Sequence, residues 1–201
     1  MIENTVPEFL DILSNEISTF IASIDEIAIN KACNLIIESE KNHGRVHVTG
    51  IGKPGHVSGY ISSLLSSTGT PAYTLHGTEA VHGSSGQVVP GDVVIAISNS
   101  GETKELKATV ETLKANKAKI IGVSGNSDSW LKNASDVFIF AGIREEGDSL
   151  NKAPRGSIIA ETIALQSLSI ALQYAKGLDA EQYLKWHPGG SLGESIRKEI
   201  I

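Results

Sequence analysis

Residues 93–103 read VVIAISNSGET. The first five form a continuous apolar run rich in β-branched side chains, the pattern of a strand buried on both faces. The run ends directly in Ser98-Asn99-Ser100-Gly101-Glu102-Thr103, and helical spacing then continues to about Asn116. Strand, tight polar loop and helix in that order make up half of a parallel crossover unit.

Outward from this stretch the alternation repeats. RVHVTG (45–50) is a strand, followed by a Gly-rich turn and a helix to about Thr68, which Gly69 can cap. PAYTL (71–75) is a second strand, and Pro90-Gly91-Asp92 turns the chain into the third. KIIGVSG (119–125) and DVFIF (136–140) are the fourth and fifth. A long helix from about Ser157 to Lys176 precedes a short one and WHPGGSLG (186–193). Apolar strands alternating with helices predict an α/β chain with a doubly wound parallel sheet. Ligands of such sheets sit beyond the carboxyl ends of strands, here GIGKPGH (50–56), HGTEAVHG (76–83) and SNSGET (98–103).

The first 40 residues read as two helices. Phe9, Leu13, Ile17, Phe20 and Ile24 fall at helical spacing, with Leu10 and Ile21 beside them. Ser23 and Glu26 fit a capping box for the second helix, through Leu35 and Ile36. Both apolar faces are broader than one small sheet needs, so a subunit contact is expected beside core packing. The organisation expected is one domain over 1–201, with helices over 1–40 and an α/β core plus C-terminal helices over 41–201.

Composition narrows the function classes. Lys and Arg total 17 against 23 Asp and Glu, a formal net charge of −6, which lacks the electrostatic footprint of a general nucleic-acid binder. The single cysteine, Cys33, excludes an intramolecular disulfide and multi-cysteine metal sites. MIENTVPEFLD carries acids where a secretory signal needs a basic region. No stretch reads as the roughly 20 apolar residues that span a bilayer, so a cytoplasmic protein without membrane partners is expected.

The SNSGET loop suits an anion. A helix amino terminus offers unpaired N–H groups and the positive end of a dipole. Ser98, Ser100 and Thr103 add hydroxyls, and Gly101 permits close backbone approach. Capping alone would need one hydroxyl; three around a glycine favour phosphate. Nothing matches GxxxxGK[ST], which argues for a phosphomonoester over a nucleoside triphosphate. Gly50, Gly52 and Gly55 satisfy GxGxxG after a strand, and Glu79 follows Gly55 by 24 residues, so a nicotinamide-dependent oxidoreductase competes. Lys53 inside that turn and the second phosphate loop count against it.

Groups able to move protons lie in the same loops: Glu79, His82, Glu102, Glu105, His187 and the run Arg144, Glu145, Glu146, Asp148. HExxH and GxSxG are absent, leaving no signal for zinc or an acyl hydrolase. Phosphate binding with Lys, His and Glu fits proton transfer beside a carbonyl, with a cation steadying an enediolate.

GIGKPGH, STGTPA, TEAVHG, SNSGET and HPGGSLG, in this order, closely resemble the sugar isomerase (SIS) domain of bacterial arabinose-5-phosphate isomerases. The resemblance spans about residues 40–195 and displaces the nicotinamide reading. It implies a flavodoxin-like sheet of five parallel strands, a homotetramer with sites completed at subunit boundaries, and no cofactor or metal. It further implies interconversion of D-arabinose 5-phosphate and D-ribulose 5-phosphate through an enediol. By motif, the functional residues fall on Lys53, His82, Glu105, Glu146 and His187, with Gly52, Ser98, Asn99, Ser100 and Thr103 binding the sugar phosphate. Which of His82, His187, Glu105 and Glu146 is the base stays open. Many members carry CBS modules after this domain; with Ile201 last, a chain without them is expected. Where the family commonly shows a Thr/Ser-rich stretch, this chain has Ala153-Pro154-Arg155-Gly156-Ser157-Ile158. That departure keeps two alternatives open: an isomerase of a hexulose or heptulose phosphate, and a non-catalytic sugar-phosphate-binding module.

Overall fold

Five strands are hydrogen-bonded in the order β2-β1-β3-β4-β5, all parallel: β1 (Val46–Gly50), β2 (Ala72–Thr74), β3 (Val93–Ile97), β4 (Lys119–Ser124) and β5 (Val137–Phe140). A computed structural model describes residues 5–200, without the side chains of Leu192, Glu199 and Ile200. The first four residues of the acidic amino terminus lie outside the described residues. The helices are α1 (Thr5–Ala22), α2 (Glu26–Lys41), α3 (Lys53–Ser67), α4 (Lys104–Ala115), α5 (Trp130–Ala134), α6 (Gly156–Ala175), α7 (Ala180–Trp186) and α8 (Gly190–Ile200).

The order reverses between β1 and β3, because β1 leads outward to β2 while β3 leads to β4. Right-handed crossovers in opposite directions put α3 and α4 on opposite faces, and the crevice between β1 and β3 is the switch point. Both faces are covered, as the apolar strands require. Val93, Ile95 and Ile97 of β3 face α2, α3 and α6, with Ile36, Ile61, Leu65 and Leu165. Val94 and Ala96 face the other way, toward Leu106, Val110 and Leu113 of α4 and Leu131 of α5. Each fully buried Ile or Leu contributes about 1.5–3 kcal/mol.

The second helix is capped differently from the expectation. Asp25 is the N-cap, its carboxylate accepting from the N–H groups of Ile27 (2.9 Å) and Ala28 (3.1 Å). The Ser23 hydroxyl turns back to the Phe20 carbonyl at 2.8 Å. An ionised carboxylate at a helix amino end also gains from the dipole, which a hydroxyl does not.

Helix α6 has the length and apolarity that would suffice to cross a membrane, which corrects the expectation that no stretch does. In this fold Ala160, Ala164, Leu165 and Leu168 pack it into the core. Lys176 at its end ties three elements together, donating to Glu40 (2.7 Å), the Gly69 carbonyl (2.9 Å) and Thr70 (2.6 Å). Helix α1 buries Phe20 but leaves Val6, Leu10 and Ile21 more than half exposed.

Candidate active site

The loop after β3 is held by its own backbone. Ser98 Oγ accepts from the Gly101 N–H and lies 3.1 Å from Thr103 Oγ1; Ser100 Oγ accepts from the Glu102 N–H at 3.2 Å. Underneath, the Asn99 carbonyl accepts from the Gly125 N–H (3.0 Å) and from Ser124 Oγ (2.9 Å). Gly101 has φ +65°, and a Cβ there would run into Ser129 and sit 2.9 Å from Ser124 Oγ. Only glycine fits. Thr103 is the N-cap of α4, yet its side chain makes no capping bond. Among the described residues the first-turn N–H groups of α4 thus have no side-chain cap, beside three hydroxyls; that is an anion-binding arrangement.

Glu102 is removed from the proton-moving candidates. Its carboxylate accepts from the Trp130 N–H at 2.6 Å and meets Lys107 Nζ at 2.5 Å. The Lys107 ammonium first, and the Trp130 N–H second, hold it below the usual carboxylate range. It braces α5 against α4.

Next to this loop, across β1, lies the Gly-rich turn. Gly52 (φ +68°) starts α3 without a side-chain cap. A Cβ at Gly50 would stand 2.7 Å from the Pro54 carbonyl carbon, so the turn needs glycine to let α3 begin against the strand. A cavity of about 190 Å³ opens here, lined by Gly52, His56, Thr74, His76 and Thr78 among others. His76 Nδ1 is 3.1 Å from Thr78 Oγ1 and accepts from the Glu79 N–H. Lys53 is exposed on the first turn of α3, Glu105 on that of α4, and His82 ends the 3-10 turn Ala80–His82 after β2. That turn is joined to α4 through the Thr109 hydroxyl, which donates to the Gly77 carbonyl. Lys53, Glu105 and the Ser98–Thr103 loop therefore share the carboxyl edge of β1 and β3, while His82 lies further along the connection from β2 to β3.

Glu146 follows β5 and is 9% exposed. Its carboxylate accepts from the N–H groups of Arg155 (2.7 Å) and Ser157 (3.1 Å), so it caps α6. The start of α6 reaches Lys53: Pro154, Ile158 and Thr162 line one groove with Lys53, His56 and Tyr60. The Arg155 guanidinium is paired with Asp148.

His187 is not brought to the others within one chain. It ends α7 and stacks on Tyr183, ring centroids 4.2 Å apart. Neighbouring Trp186 lies 3.0 Å from a Cβ built on Gly69 and shares a pocket with Ser66, Pro71 and Tyr73. This is the amino edge of β2, the opposite end of α3 from Lys53, about 20 Å away along the helix.

A further acid escaped the reading of the sequence. Glu161 on α6 is wholly buried, and neither carboxyl oxygen has a partner among the described residues. Burial, and then the negative charge of Glu146, push its pKa up to about 8. The signal was present: 161, 164, 165 and 168 form one core-facing stripe, and a Glu interrupts it.

With this geometry in place, the likenesses to known proteins are specific. The Pseudomonas aeruginosa arabinose 5-phosphate isomerase KdsD is 40% identical over 170 residues, 85% of this chain and 51% of that protein. The chain spans about half the length of the curated relatives it matches. An Escherichia coli CFT073 protein solved in complex with arabinose 5-phosphate is 32% identical, with a TM-score of 0.81, covering 91% of this chain and 95% of that one. A Listeria monocytogenes structure superposes with a TM-score of 0.86 at 26% identity, over 94% of this chain and 97% of that one. The SIS domain matches residues 40–171, from the end of α2 into α6 and across the whole sheet, and the chain belongs to the SIS domain family.

Proposed function

We propose that the chain is an aldose–ketose isomerase of sugar phosphates, acting on D-arabinose 5-phosphate and D-ribulose 5-phosphate. One observation carries the reading: the uncapped amino end of α4, with its hydroxyl loop, lies beside the exposed Lys53 across neighbouring strands. The identity to KdsD and the sugar-phosphate complex of the Escherichia coli CFT073 protein support the substrate.

In this mechanism Ser98, Ser100, Thr103 and the α4 N–H groups hold the phosphate, with Asn99 and Gly52 shaping the approach. A base takes the proton from C2 of the open-chain aldose, and the carbonyl oxygen at C1 is protonated, giving a cis-enediol. The proton returns to C1 while the C2 hydroxyl loses its own, so the atoms balance. Lys53 steadies the developing oxyanion. His82, Glu105, Glu146 and His187 share ring opening and proton transfer. His187 comes from another copy of the chain, in line with its place at the amino edge and with the exposed apolar side chains of Leu10, Ile21, Ile170 and Tyr174.

The test is a turnover screen with aldose and ketose phosphates of five to seven carbons, run with C2-proton exchange in deuterated water. Fastest turnover of arabinose 5-phosphate is expected. Faster turnover of a longer sugar replaces the substrate, and saturable binding without exchange replaces catalysis by sensing.

A further inference from the structure

The mechanism above has no use for Glu161, yet its surroundings are unusual. One turn before it, on the same face of α6, Ser157 Oγ is also buried without a partner. The backbone N–H of that same Ser157 donates to the Glu146 carboxylate at 3.1 Å. Two carboxyl groups therefore lie at the first turns of α6, one held by two N–H groups and the other by none. The orphaned pair is not typical of this helix: its other buried hydroxyl, Ser169, reaches Thr68 at 3.3 Å.

The remaining charged groups around this helix start are otherwise placed. From α1, Glu16 accepts from the Arg144 N–H at 2.7 Å. From α3, Lys53 and His56 lie on the outer side, in the groove with Ile158 and Thr162. Arg155 is committed to Asp148, and α2 meets the core with Ile29, Ala32, Cys33 and Ile36. A carboxyl in such surroundings keeps its proton, because ionising it would bury an unpaired charge beside Glu146.

We propose that Glu161 is a positioning residue for the isomerase site: as the neutral acid it fills the buried space beneath the first turns of α6 without adding a charge beside Glu146, and its ionisation drives Glu146 off that helix end. The inference rests on the isomerase reading above. A carboxylate pinned by two N–H groups presents one orientation, and a second buried charge beside it removes that orientation.

The test compares wild type, E161A and E161Q in arabinose 5-phosphate turnover from about pH 6 to about pH 9.5. E161A is expected to lower kcat at least roughly tenfold with KM within about twofold. E161Q, which keeps the neutral shape, restores most of kcat and lacks the wild-type fall above about pH 8. An E161Q profile that overlays the wild type, or an E161A enzyme with wild-type kcat, overturns the proposal. If wild type turns over no sugar phosphate, the isomerase reading fails on its own. Carboxyl carbon NMR then decides the link to Glu146: a Glu146 titration moved by E161Q supports it, and an unmoved one overturns it.

Discussion

Thr103 stands at the N-cap of α4 and turns its hydroxyl to Ser98, 3.1 Å away, instead of to the helix N–H groups. A capping threonine replaced by alanine costs about 1 kcal/mol of stability. Here Thr103→Ala should change stability by less than about 0.5 kcal/mol. If the loop holds a phosphate, the same variant raises KM for the sugar phosphate roughly tenfold, the loss of one hydrogen bond to a charged group. Denaturant unfolding and steady-state kinetics on one sample separate the two. A stability loss without a KM change would return Thr103 to a capping role.

Gly101 gives the complementary result. Its φ of +65° and the approach of Ser129 and Ser124 leave no room for a side chain. Gly101→Ala should destabilise the fold by about 2 kcal/mol or more, through strain and displacement of Ser129. Thermal unfolding measures it; an unchanged midpoint would mean the loop relaxes freely.

The central strands were legible because they are short, largely apolar runs, VVIAI of β3 most clearly, whereas β2 is only Ala-Tyr-Thr with two residues exposed. The two helices that went unread had physical reasons. Trp130–Ala134 is five residues long, too short for periodicity to register, and its cap at Ser129 lies in a loop of polar residues. Helix α8 opens on Gly190, with φ +72°, in a segment that resembles a turn. The candidate site was legible as places in the chain: Ser98–Thr103 after β3, Lys53 after β1 and Glu146 after β5. It was not where a residue's role depends on what packs around it. Glu161 looks like any helical Glu until its helix is buried, and HPGGSLG carries no sign that His187 ends at the far edge of the sheet.

Asp92 and His47 form a buried hydrogen bond at that amino edge, Nε2 to Oδ2 3.0 Å. Burial alone would raise the Asp92 pKa, but the N–H groups of Val89 and Arg45, with His47, outweigh it and hold the carboxyl below its ordinary range. Burial is also the largest influence on His47 and lowers its pKa despite Asp92. For both groups the unfolded chain binds protons that the folded chain refuses. Their contribution is therefore intact near neutrality, declines as pH falls below the ordinary histidine value of about 6.5, and declines further below the ordinary aspartate range. Asp92→Asn should cost about 3 kcal/mol at pH 7, since its single amide oxygen can keep the Arg45 N–H or the Val89 N–H with His47 but not both, and its NH2 then faces the donor left over. Urea unfolding at several pH values checks the magnitude and the sign.

Glu161 acts in the opposite sense. With a folded pKa raised to about 8 against 4.5 unfolded, the folded chain binds the extra proton between those values. Its burial costs little below about pH 4.5, and the cost grows as pH rises to about 8. Glu161→Gln should therefore stabilise the protein by about 2 kcal/mol at pH 7 and flatten the stability profile across that window. Unfolding midpoints that move in parallel for both proteins would show that Glu161 is not the titrating group.

The separation of His187 from Lys53 predicts behaviour that a self-contained chain cannot show. If each site takes Lys53 from one copy and His187 from another, then Lys53→Ala and His187→Ala proteins are both inactive alone. Dissociated, mixed in equal amounts and reassembled, they should regain about a quarter of wild-type activity, because a site is intact when each copy supplies the residue it still has. A chain whose His187 folds back to its own Lys53 would give no recovery in any mixture. Trp186→Ala supplies the control on geometry, since it removes the contact with Gly69 that fixes the His187 segment while leaving Lys53 untouched. It should lower activity in the mixture through the copy carrying His187, and leave unchanged the activity of a mixture in which only the Lys53 donor is altered. Equal losses in both arrangements would mean that Trp186 supports the fold of each copy and not the reach of His187 into its neighbour.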